Sequence, residues 1–122
     1  MRDRDQRFPP AVRVRKSTEY RRIYDGGRKI VRRGFVLFYL PNGTPDHRLG
    51  ITVTKRVGDA VTRNRYKRRI RDSFRRKRQE LGPIGVDFIV HVRHAFGDLS
   101  GGEWEKEFRW CGARVQRELE RG

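Results

Sequence analysis

The chain has 122 residues, enough for one compact domain, and sets 31 Lys and Arg against 15 Asp and Glu, a formal charge of +16. Such a field points to a polyanionic partner. No apolar run approaches the roughly 20 residues needed to span a bilayer, and "MRDRDQRFPPAVRVRK" lacks the apolar stretch and cleavage site of a secretory signal.

A soluble cytoplasmic protein with no membrane partner is therefore expected. The single cysteine, Cys111, cannot form an internal disulfide and reads as core filler at helical spacing from Phe108 and Val115. With the histidines scattered, no metal-ligand cluster is expected.

Residues 1 to about 16 read as a basic arm, weakly ordered because it offers too little apolar surface to offset the entropy of fixing it. The whole span 1–122 reads as one domain. From Ser17 as N-cap, "STEYRRIYDGG" places Tyr20, Ile23 and Tyr24 at helical spacing, and Gly26 with Gly27 supplies the stop.

Three strands follow: "FVLFYL" (35–40), "LGITVTK" (49–55) and "VDFIVHV" (86–92). The turn cluster "PNGTPDH" predicts that the first two are antiparallel neighbours. "GRKIVRRG" is either a further short strand or a connection. The first strand is apolar on both faces, Phe35, Leu37 and Tyr39 on one, Val36, Phe38 and Leu40 on the other. The second alternates, with Leu49, Ile51 and Val53 inward and Thr52 and Thr54 outward, so a half-open groove fits both patterns.

Between the second and third strands, "VTRNRYKRRIRDSFRRKR" predicts a helix with Tyr66, Ile70, Ser73 and Phe74 towards the sheet. On its other side Asn64, Lys67, Arg68, Arg71, Arg75 and Arg78 form a cationic stripe within a sector of about 100°. Asp72 lies off that stripe and is expected to pair only with its flank. Guanidinium forks suit phosphate oxygens, and Asn64 adds a neutral amide able to donate and accept. A charge run ordinarily means a solvated face, but the single sign and the total charge set this one apart. A closing helix, "GEWEKEFRWCGARVQREL", aligns Trp104, Phe108, Cys111, Val115 and Leu119.

The fold class expected is α+β, a single-domain α/β sandwich in the order α-β-β-(β)-α-β-α, with a mixed sheet and a β-α-β crossover. Tyr20, Tyr24 and Phe38 either line the groove as stacking surfaces for unpaired nucleotides or pack on one another.

"KRVGDAVTRNRYKRRIRDSFR" resembles the signature helix of the bacterial ribonuclease P protein component, with its Arg-Asn-Arg core followed by Lys-Arg and a further Arg. "RVRKSTEYRRIY", "GFVLFYLP", "RLGITVTKRVG" and "VDFIVHVR" resemble that family's first helix and strands, with Asp59 and Tyr20 and Tyr24 as small departures. The resemblance implies a left-handed crossover, against the usual preference. It also implies a protein that pairs with a large catalytic RNA and assists removal of the 5′ leader of precursor tRNA.

In such a complex the RNA carries the Mg²⁺ chemistry, while the protein has no catalytic residue, binds no metal or cofactor itself and needs no obligatory protein partner. By the same resemblance Arg63, Asn64, Arg65, Lys67, Arg68 and Arg71 approach the RNA subunit, with Arg75 beside them on the stripe. Tyr20, Tyr24 and Phe38 line the leader groove, flanked by Thr52, Thr54, Lys55 and Arg56.

Two other functions compete. A stand-alone nuclease would need a converging acid, base or metal cluster, whereas Asp46, Asp59, Asp72, Asp87 and Asp98 are dispersed and His47, His91 and His94 have no partner motif. A ribosomal RNA-binding protein fits the composition but not the signature helix.

Overall fold

The computed structural model describes residues 12–121. Helix α1 (Ser17–Gly26) leads into strands β1 (Arg28–Val31), β2 (Phe35–Pro41) and β3 (Arg48–Thr52). Helix α2 (Ala60–Lys77), strand β4 (Val86–Val92) and helix α3 (Gly101–Glu120) complete the chain, with short 3₁₀ turns at Arg78–Glu80 and His94–Asp98. The architecture is α+β with a mixed four-stranded sheet, and "GRKIVRRG" does supply a strand.

The sheet order is β1-β2-β4-β3, which overturns the expected hairpin between β2 and β3. The hairpin is β1–β2, with Ile30 opposite Leu37; β4 inserts between β2 and β3, antiparallel to the one and parallel to the other. A strand buried on both faces is least costly at the centre of a sheet, and β4 is buried from Val86 through Val90. The segment 42–47 therefore crosses over the start of β4 instead of closing a hairpin. Gly85 permits the crossing, since a Cβ there would lie 1.9 Å from the Thr44 carbonyl oxygen and 2.7 Å from that of Asp46. The crossing segment is pinned where the Asn42 amide donates to the Gly85 carbonyl at 3.1 Å.

Each face of the sheet has its own helices. Phe35, Leu37 and Tyr39 pack with Phe88 and Val90, Ile70 and Phe74 of α2, and Trp104, Phe108, Cys111 and Val115 of α3. Leu119 packs at the margin of this core, so the stripe expected for α3 is the observed one. Burial pushes the Cys111 thiol up to about 11, leaving it an apolar filler. On the opposite face α1 places Ile23 against Ile89 and Val14, with Tyr20, Tyr24, Phe38 and Leu40 half-buried around them.

Several boundaries move. Strand β3 ends at Thr52, and Thr54, Lys55 and Arg56 leave the sheet in a turn closed by the Val57 amide donating to the Thr54 carbonyl at 3.0 Å. Residues 12–14 of the expected arm are packed: Val12 and Val14 are buried, Arg13 bridges to Leu49, and the Val14 amide donates to the Leu49 carbonyl at 2.9 Å. Residues 1–11 of that arm lie outside the described residues. Ser17 is the first helical residue, and Lys16 is the N-cap. The capping acceptor is Glu19, whose Oε1 receives the amides of Arg15 (3.0 Å) and Lys16 (3.2 Å). Its other oxygen takes Arg48 Nη1 at 3.1 Å, and Arg48 holds buried Asp87 with two further bonds of 2.8 and 2.7 Å. The start of α1 is thereby tied to β3 and β4.

The Arg15 amide above all, then the Lys16 amide and Arg48, hold the Glu19 carboxyl down at about 2, against an upward push from burial. A depressed carboxyl contributes stability above its unfolded value and loses it as pH falls through the folded one. Glu19→Ala should thus cost about 1 kcal/mol near neutrality. Urea melts across pH should find the gap to wild type shrinking as pH falls from 4.5 towards 2. A second expectation concerns Ser73, whose buried hydroxyl accepts from Trp104 Nε1 at 2.8 Å and donates to Glu105 at 3.1 Å. Ser73→Ala strands the buried indole N–H and should destabilise by about 1–3 kcal/mol, measured by denaturant titration.

Candidate nucleic-acid interface

The face of the sheet carrying α1 is only partly covered. Antiparallel and parallel registers align Val36, His91 and Thr52 across β2, β4 and β3, all half-buried. Tyr24 reaches over this row, its hydroxyl 2.8 Å from Thr52 Oγ1 and 3.0 Å from His91 Nδ1, donating to one and accepting from the other. Its ring meets Phe38 edge-on, with centroids 4.6 Å apart at 70°. Tyr20 lies across β3 where Gly50 leaves room, since a Cβ there would stand 2.9 Å from the ring, and its oxygen accepts the Ile51 amide at 3.1 Å. Burial raises both phenols above their ordinary range, so they stay neutral.

Tyr24 and Phe38 thus both pack together and leave ring surface to solvent. His91, dismissed from sequence for want of a partner motif, is part of this groove. Its place in the alternation of "VDFIVHV", on the face of Ile89, is the signal that could have found it. Thr52 joins the cluster, whereas Thr54, Lys55 and Arg56 stand exposed just beyond the end of β3.

Helix α2 starts at Asp59, whose carboxylate accepts the Thr62 amide at 2.8 Å and is held below its usual range by that bond. The sheet-facing side is as expected, with Ile70, Ser73 and Phe74 buried. The cations divide into two groups. Arg63 turns back to donate to the Gly58 carbonyl at 3.1 Å, Arg69 donates to the Leu99 carbonyl at 3.0 Å over the Phe96 ring, and Arg76 pairs with Glu105. Asn64, Arg65, Arg68 and Arg71 are exposed, and Lys67 is half-buried beside them. Three successive residues step about 100° each, which is why Arg63, Asn64 and Arg65 diverge. Asp72, expected to stay at the flank, reaches Arg75 of the stripe at 3.4 Å.

The stripe and the groove meet. A cleft of about 300 Å³ is bounded by Arg13, Arg15, Tyr20, Ile51, Lys67 and Arg71 among others, and among the described residues no carboxylate lines it. Arg13 Nε is buried there without a hydrogen-bond partner. Four cations around one cleft are built to receive an anion.

Four of the five acids weighed for a nuclease site have structural partners: Asp59 caps α2, Asp72 pairs with Arg75, Asp87 with Arg48, and Asp98 with Arg33. Among the described residues no three His, Cys, Asp or Glu side chains are grouped to hold a metal ion, and no helix is long and apolar enough to cross a membrane.

A family model described as Ribonuclease P matches residues 8–116. The ribonuclease P protein component of Macrococcus caseolyticus is 38% identical over 97 residues, covering 79% of this chain and 83% of the relative. Among solved structures, a Staphylococcus aureus RNase P protein mutant with defective mRNA degradation activity superposes with a TM-score of 0.78 at 31% identity, covering 87% of this chain and 89% of that one. The RNase P protein of Thermotoga maritima gives a TM-score of 0.75 at 28% identity, with coverages of 84% and 96%. A basic α2 stripe opening onto an aromatic groove is thus carried on this family's fold, and the chain belongs to the ribonuclease P protein component family.

Proposed function

We propose that the chain binds the catalytic RNA subunit through α2 and takes the 5′ leader of precursor tRNA in the groove, promoting endonucleolytic removal of the leader. The observation that carries this reading is the four-cation cleft, which joins the α2 stripe to the face bearing Tyr20 and Tyr24. A strand leaving an RNA held on α2 meets phosphate-binding groups there before it meets rings on which a base can stack, at about 1–3 kcal/mol per base.

Arg65, Lys67, Arg68 and Arg71 supply the phosphate contacts in this reading, Asn64 a neutral polar contact, and Arg63 stiffens the turn that leads into the helix. Arg75 is shared with Asp72. Thr54, Lys55 and Arg56 flank the far end of the groove. The Mg²⁺ ions of the reaction belong to the RNA, so the protein contributes binding and orientation, and the complex works in the cytoplasm.

Arg68→Ala and Arg71→Ala should each weaken association with the RNA subunit and reduce the slope of log affinity against log salt by about one unit. Filter binding across a salt series measures this, and unchanged slopes in both variants would remove α2 from the phosphate path. For the groove, Tyr24→Ala should lower the affinity of the reconstituted complex for leader-bearing precursor tRNA by about 1–3 kcal/mol and hardly change that for mature tRNA. Tyr24→Phe keeps the ring and should retain most of the difference. Equal losses for both substrates, with a lowered melting temperature, would return Tyr24 to a purely structural role.

A further inference from the structure

We propose that the outer face of α3, centred on Trp110, is a second RNA-binding surface that takes an unpaired strand on the side of the sheet away from the groove. Helix α3 buries Trp104, Phe108, Cys111 and Val115 against the sheet face opposite to the one that carries α1 and the groove. What α3 presents outward is therefore remote from the leader path.

Taking 100° per residue, Lys106, Trp110, Arg114 and Arg117 share one outward sector, and the rise from Lys106 to Arg117 is about 16 Å. Trp110 is one of only three large hydrophobic side chains exposed among the described residues, at 44%. It is bracketed by guanidinium groups, with Arg32 Cζ 4.6 Å and Arg114 Cζ 5.7 Å from the ring centre.

The acids of α3 leave Lys106 and Arg117 without an ion pair among the described residues, while Glu107 and Glu118 pair with the Arg32 and Arg114 that bracket the indole and Glu120 lies exposed in the last turn. Glu107 is drawn to Arg32 at 2.8 Å, Glu105 to Arg76 and Ser73, and Glu118 to the Tyr39 hydroxyl at 2.6 Å as well as to Arg114 at 3.1 Å. Glu103 closes the capping box with Ser100 at the first turn. Lys106, Arg109 and Arg117 are exposed and have no ion pair among the described residues.

An exposed indole within a row of cations, of which Lys106 and Arg117 have no ion pair among the described residues, fits a ligand with negative charge at regular intervals and a flat apolar surface between the charges. That is a nucleic-acid strand with at least one base free to stack. An acidic protein would match the charge but leave the Trp without a defined role. A second copy of this chain would bring like charge against like. For its class of ligand the proposal rests on the RNA-binding reading above; for its location it rests on α3 alone.

Of the two tryptophans, Trp104 is fully buried, so a change in emission on adding RNA reports Trp110. The full chain is titrated with an end-labelled oligouridylate of about ten nucleotides, following both anisotropy and tryptophan emission. Binding is expected to quench emission in wild type and in Arg68→Ala/Arg71→Ala, but not in Trp110→Phe. Lys106→Glu/Arg117→Glu should abolish the quench, weaken binding about tenfold and lower the salt slope by about 1.4, for two phosphate contacts to a single strand. The neutral pair Lys106→Gln/Arg117→Gln should show the same trend at an unchanged melting temperature.

Anisotropy that reports binding while Trp110 emission stays constant would overturn the proposal. So would a quench that survives both α3 double variants, or sedimentation showing a dimer that Trp110→Ala dissociates. If the α2 and α3 variants all bind as wild type does, the RNA-binding reading itself fails; if only the α3 variants do, this surface alone is refuted.

Discussion

Strand β4 is covered on both faces for most of its length. Val86 through Val90 are all buried, and the strand pairs along its length with β2 on one side and β3 on the other. Such a strand must be roofed on both faces, so the helices divide: α2 and α3 take one face and α1 the other. The roof over the second face is narrow, because α1 passes across the strands, with Tyr20 against Gly50 of β3, Ile23 against Ile89 of β4 and Gly27 close to the Tyr39 carbonyl of β2. A helix about 10 Å wide cannot cover seven strand residues that extend about 23 Å. The remainder, reached by the Tyr24 side chain, is the strip of Val36, His91 and Thr52, and the groove follows from that mismatch in width.

Charge is distributed by the same geometry. Cations on α2 that face its neighbours are used internally: Arg69 lies over Phe96 and bonds the Leu99 carbonyl, and Arg76 clasps Glu105. Those that face away, Arg68 and Arg71 among them, make no ion pair among the described residues and repel one another by a few tenths of a kcal/mol per pair. The helix is thus fastened by some of its arginines and loaded by the others. A polyanion relieves the load without disturbing the fastening, which lets the binding face change its counterions while the core stays fixed.

How much of this was legible in the chain depends on the range of the interaction concerned. Helix faces are local, so the inward set Ile70, Ser73 and Phe74, the α3 stripe and the outward cations of α2 could all be read from periodicity. Strand partners are not local. The run "PNGTPDH" has the chemistry of a hairpin turn, and nothing within it records that Gly85, some forty residues on, makes room for it to pass across another strand. With that order hidden, His91 could not be matched to Thr52 or Tyr24, and its part in the groove stayed out of view. Glu19 was overlooked for a different reason: Ser17 is a residue type that caps helices, and only the backbone path shows that the carboxylate two residues later holds the free amides.

The Arg13–Leu49 bridge bears on how the molecule avoids sticking to itself. A four-stranded open sheet has two borders, each a row of backbone donors and acceptors that a foreign strand can extend. At the β1 border the row is four residues long and begins with Arg28 and Lys29, both exposed, so an approaching strand meets charge. The β3 border has no such guard along its middle, because Leu49, Gly50 and Ile51 carry no charge. Residues 12–14 lie along it instead, with the Val14 amide occupying the Leu49 carbonyl. The segment before α1 therefore acts as a selvedge. A chain trimmed back to Lys16 would keep every helix and every strand of the sheet, yet would carry an open seam along which copies could be stitched together.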